Sequence, residues 1–101
     1  MNEIKAAENR RIRGEILNIL HFNYPIPLSD RQIIRYLEQL NVTTYSDINA
    51  HLEYLKDSEY VTLDMKQLPS IRQENKFVKL LPKGINLIER NIPDDAGIDF
   101  L

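Results

Sequence analysis

The apolar residues of this chain change period once, between Asp57 and Tyr60, and that change constrains the fold more than any other feature. Upstream they recur at three- and four-residue spacing, as on one face of a helix. Downstream, Val61, Leu63 and Met65 alternate with Tyr60, Thr62, Asp64 and Lys66, as along a half-buried strand. Helices followed by a strand pair predict an α+β chain, mostly helical. With 101 residues there is room for one core, so a single domain is expected.

The helical part divides into three. Ile12, Ile16, Ile19 and Leu20 share one face, with Arg10, Arg11, Arg13, Glu15 and Asn18 between them, and predict a first helix over about 3–22. Its first half offers only Ile4, Ala6 and Ala7, so that half projects from the core or packs on a second subunit. Gly14 costs it about 1 kcal/mol relative to alanine. Pro25 and Pro27 cannot continue a helix and predict a loop with a short extended piece. Ser29 then supplies an N-cap, with Gln32 completing a capping box ahead of Ile33, Ile34, Leu37 and Leu40, for a second helix over about 30–40. After a short link, Thr44 and Asp47 repeat the capping pattern before Ile48, Leu52 and Leu55, for a third helix over about 45–57.

Beyond the first strand, a polar stretch from Gln67 to Asn75 precedes a second β-prone run, Phe77 to Leu81, and predicts a hairpin with a long tip. Pro82 suits the first turn of a helix, and Ile85, Leu87 and Ile88 supply apolar surface for a short fourth helix over about 83–90. Residues 1–92 form the expected domain and 93–101 an acidic C-terminal tail.

Two short helices joined by three or four residues, the second opened by a fresh cap, outline a helix-turn-helix. The whole order, with a three-helix core, a two-stranded wing and a short C-terminal helix, is that of a winged helix-turn-helix. The run Leu52, Glu53, Tyr54, Leu55, Lys56, Asp57, Ser58, Glu59, Tyr60, Val61 resembles a recognition helix running into its wing. Leu80, Leu81, Pro82, Lys83, Gly84, Ile85 looks like the Leu-Thr-x-Lys/Arg-Gly motif that leaves the wing, with Leu81 in place of threonine. Glu59 stands where a turn glycine is expected. Together with Ile92 to Ile98, the chain resembles small winged-helix proteins of Mu-like bacteriophages and prophages over roughly residues 10–98. The resemblance implies a DNA-binding protein, a transcriptional regulator in a phage or prophage setting.

In such a fold the third helix enters the major groove while flanking elements hold phosphates. With Ile48, Leu52 and Leu55 facing inward, the outward candidates for base contacts are Tyr45, Ser46, Asn49 and Ala50, joined on that face by Glu53 and Tyr54. Asn49 suits a bidentate contact with adenine, and Ala50 a thymine methyl. The phosphate candidates are Arg10, Arg11 and Arg13 on the first helix, Arg31 and Arg35 on the second, Lys56 on the third, and Lys66, Arg72 and Lys76 around the wing. A homodimer through the first helix, with Ile4 and Ala7 near the contact, would present two such helices to double-stranded DNA.

Charge argues in both directions. The chain holds 13 Lys and Arg against 15 Asp and Glu, but three of the acids, Asp94, Asp95 and Asp99, fall in the tail and leave a near-neutral body. From residue 44 to 64, Lys56 stands alone against Asp47, Glu53, Asp57, Glu59 and Asp64, a balance that repels phosphate. The alternative reading is therefore a winged-helix adaptor that docks or dimerises on protein without binding DNA. The tail is expected to compete with phosphate for basic surface, unless Ile98, Phe100 and Leu101 anchor it by packing.

Other chemistry has little support in the residues. Cysteine is absent, His21 and His51 share no ligand spacing with a second donor, and no Gly-rich phosphate loop or Ser/His/Asp ordering is present. No enzyme, cofactor or metal is expected. Asp94 and Asp95 are expected to be solvated, His51 to cap the edge of the third helix, and Tyr45 and Tyr54 to be the tyrosines placed for stacking. No apolar stretch approaches the roughly 18 residues of a membrane span and the first residues lack a signal-peptide apolar region, so a cytoplasmic location without membrane contact is expected.

Overall fold

The computed structural model describes residues 3–42, 48–67 and 74–100, with the backbone alone at 66, 67, 74 and 75. It is a small, mostly helical α+β structure in the order α1 (Glu3–Phe22), β1 (Leu28–Ser29), α2 (Asp30–Gln39), α3 (Ile48–Asp57), β2 (Val61–Gln67), β3 (Glu74–Leu80) and α4 (Pro82–Ile88). The three strands form one antiparallel sheet in the order β1-β3-β2.

The helical periods place the core. Ile16, Leu17 and Leu20 of α1, Ile33 and Leu37 of α2, Leu52 and Leu55 of α3 and Leu87 of α4 are all fully buried. The sheet closes this core through its inward residues: Val78 lies opposite both Leu28 and Leu63, and Leu80 opposite Val61. Further along the same face the core runs out, and Met65 opposite Lys76 is exposed. The Ser29 hydroxyl accepts from the Gln32 amide and the Gln32 side chain accepts from the Ser29 amide, so the expected capping box is formed. Pro82 occupies the start of α4, whose N-cap Leu81 offers no side-chain bond.

Helices α2, α3 and α4 end alike. Asn41, Glu59 and Arg90 take left-handed backbone, with φ of 58, 66 and 62°. In each case the left-handed residue and the one after it donate backward to the last turn. Asn41 donates to Glu38 and Val42 to Leu37, Glu59 to Lys56 and Tyr60 to Leu55, Arg90 to Leu87 and Asn91 to Asn86. These are Schellman motifs, which satisfy carbonyls that would otherwise be orphaned. Glu59, at the position where the resemblance implies a turn glycine, takes the left-handed conformation with its side chain exposed.

Glycine is used for close approach. An added Cβ at Gly14 would lie 1.8 Å from the Asp99 carbonyl oxygen, and one at Gly97 would lie 2.1 Å from the Tyr54 hydroxyl. Both contacts belong to the segment expected to be a tail. Residues 93–100 instead form a strap across α1 and α3: the Asp99 amide donates to the Arg10 carbonyl, Ile98 is 7% exposed and Phe100 packs against the core. Of the two readings of this segment, anchoring through Ile98 and Phe100 is the one observed, and Gly14 opens a notch in α1 that the returning backbone fills.

Candidate nucleic-acid interface

On α3, the residues left outside once Ile48, His51, Leu52 and Leu55 are buried are Asn49, Ala50, Glu53, Tyr54, Lys56 and Asp57. Asn49 and Ala50 lie in the first turn that the structure describes. Lys76, from β3, donates to the Asn49 Oδ1 at 3.0 Å. This bond joins two sequence-predicted residues separated by 27 positions, one on the third helix and one on the hairpin. Asn49 is partly buried there, its amide oxygen engaged by the Lys76 ammonium. Ala50 is exposed beside it, and Met65, across the ladder from Lys76, is exposed as well.

Arg31 and Arg35 are both exposed on α2, one turn apart, and neither guanidinium is bonded within the described residues. They are cations open to a ligand. Lys56 is not: its ammonium lies 3.0 Å from Glu53 and 3.9 Å from Asp57, and the hydrogen bond and charge of Glu53 raise its pKa above the usual 10.5. The one base of this acidic stretch is answered within its own helix.

The three arginines of α1 separate. Arg13 is taken up internally, its guanidinium carbon 3.9 Å from the Tyr54 ring centroid and its Nη1 donating to the Gly97 carbonyl at 3.1 Å. Arg10 is half-buried beneath the strap, and Arg11 is exposed. Lys66 sits on β2 opposite Asn75, while Tyr45, Ser46 and Arg72 lie outside the described residues. Ile4 and Ala7 are exposed near the start of α1.

Tyr54 and Asp95 correct two further expectations. Tyr54 is held between Arg13 and the strap instead of being offered for stacking. Asp95 is only partly solvated; its carboxylate accepts from the Tyr60 hydroxyl at 2.7 Å and the Gly97 amide at 2.7 Å, with the Tyr54 hydroxyl at 3.5 Å. Partial burial pushes the Asp95 carboxyl up, but those hydrogen bonds and the Lys83 charge outweigh it and hold the group below its ordinary 3.8. Burial, then the bond to Asp95, raises the Tyr60 phenol. His51 is buried at 3% exposed inside α3, in place of capping its edge, and His21 pairs with Glu89 at 3.0 Å across α1 and α4.

Met65 and Lys79 were not among the sequence candidates. Alternation along β3 marks Lys79 as outward, opposite Thr62, and that signal was available. Met65 reads as core by the same alternation, and only the end of the helical layer exposes it. Among the described residues, no group of three or more His, Asp or Glu is placed to hold a metal, and no helix is long and apolar enough to cross a membrane. The chain matches no family model, no curated protein and no solved structure.

Proposed function

We propose that the chain is a winged helix-turn-helix protein that binds double-stranded DNA, a transcriptional regulator of the kind its resemblance to phage and prophage proteins implies. The element order and the β1-β3-β2 sheet support the winged-helix reading, with the β2–β3 hairpin as the wing. The observation that carries the DNA reading is the Lys76–Asn49 bond, which sets a wing cation against the outward amide of the third helix. In that arrangement Asn49 and Ala50 read bases, while Lys76, Arg31 and Arg35 contact phosphates.

Binding to mixed duplexes, followed by fluorescence anisotropy across a salt series, tests the reading. Log K falls with log salt by about 0.9 per neutralised phosphate. Lys76→Ala weakens all sequences alike and lowers that slope by about one, whereas Asn49→Ala changes sequence preference. Absence of duplex binding at about 50 mM salt overturns the proposal, since phosphate contacts are strongest at low salt. The exposed acids Glu53, Asp57 and Asp64 would then favour the protein-docking adaptor.

A further inference from the structure

The outward stripe of α1 reads Ile4, Glu8, Arg11, Glu15, Asn18, Phe22, at the alternating four- and three-residue spacing of a helix–helix seam. Its ends are apolar, Ile4 being 70% and Phe22 83% exposed. Between them the stripe runs acid, base, acid, amide. No ion pair among the described residues engages Glu8, Arg11 or Glu15, although Arg11 is one turn from both acids. Beside the Phe22 end, a groove of about 360 Å³ opens between α1 and α2, lined by Ile19, Phe22, Tyr36 and Leu40.

We propose that this stripe binds a second copy of the chain, antiparallel, about a two-fold axis beside residue 13. An isologous interface requires that if residue i meets j, then j meets i. The stripe meets that requirement when reversed on itself. Ile4 faces the partner's Phe22 at the mouth of the groove, Glu8 accepts from the partner's Asn18, and Arg11 pairs with the partner's Glu15, each contact occurring twice. A parallel pairing opposes Arg11 to the partner's Arg11, and each glutamate to its own copy. Charge therefore selects the antiparallel register. Arg11, a phosphate candidate by sequence, belongs to this contact instead. The proposal is independent of whether DNA is bound.

Sedimentation equilibrium on the full chain gives the mass. The expected result is a dimer; Arg11→Glu raises its dissociation constant by about tenfold, through two lost pairs and two new repulsions, and Arg11→Glu with Glu15→Arg restores it. The chain has no cysteine of its own, so Ile4→Cys with Phe22→Cys forms a covalent dimer under mild oxidation while either single variant does not. The crosslink reports the register even if a charge variant fails to fold. A monomer at millimolar concentration overturns the proposal, and so does efficient crosslinking of either single-cysteine variant.

Discussion

Glu59 holds a left-handed backbone that closes α3, with φ of 66°, and its side chain is exposed. Because a side chain costs about 1–2 kcal/mol in that conformation and glycine avoids this at some entropic cost, Glu59→Gly raises stability by about 0.5–1 kcal/mol in urea unfolding. A loss of stability would mean that the glutamate side chain contributes to the turn. Gly14→Ala works in the opposite direction: it recovers about 1 kcal/mol of helix propensity but drives a methyl into the Asp99 carbonyl. Overpacking of about 1–3 kcal/mol outweighs the gain. The variant therefore melts lower, with faster amide exchange over residues 97–100. Asp95 gives a pH signature. Its folded pKa lies below the ordinary 3.8, so its contribution to stability is complete above that value and is lost as pH falls through the lower folded value. Asp95→Asn removes that part of the acid limb, which unfolding at a series of pH values reads directly.

The strap is the element on which the domain depends more than its composition suggests. Ending the chain after Ile92 removes Ile98 from the core and leaves Arg13 and Tyr54 without Gly97 and Asp95, so the melting temperature drops. An unchanged melting temperature would return residues 93–100 to the status of a free tail. The sequence left this element open between a free acidic tail and one anchored by Ile98 and Phe100, for a physical reason. Asp94, Asp95 and Asp99 dominate the segment, and Ile98 with Phe100 shows no period, so no local signal distinguishes docking from solvation. The available clue lay elsewhere in the chain, in a glycine on a helix face. The other elements were legible because their signals are local: the Ser29–Gln32 box, Pro82, and alternation along β2 and β3. The candidate site was legible in part for the same reason. Helical period exposed Asn49 and Ala50, and spacing alone could pair Lys56 with Glu53, but the Arg13–Tyr54 stack and the Lys76–Asn49 bond join distant residues and required the fold.

At the scale of the whole molecule, the described charges divide between those answered within the fold and those left exposed. Arg31 and Arg35 on α2 and Arg11 on α1 are exposed and Lys76 on β3 is held by Asn49, while Arg13 and Lys56 are answered internally and Asp95 is tied to Tyr60. The proposed DNA contact falls on α2, the first described turn of α3 and β3, away from the strap. Titrating a short mixed duplex into the isotopically labelled chain at about 50 mM salt, where phosphate contacts are strong, and following the amide resonances tests this claim most directly. The account predicts perturbations at Arg31, Arg35, Asn49, Ala50 and Lys76, with residues 93–100 and the outer stripe of α1 unmoved. Silence throughout, or changes concentrated on α1 and the strap, would contradict it.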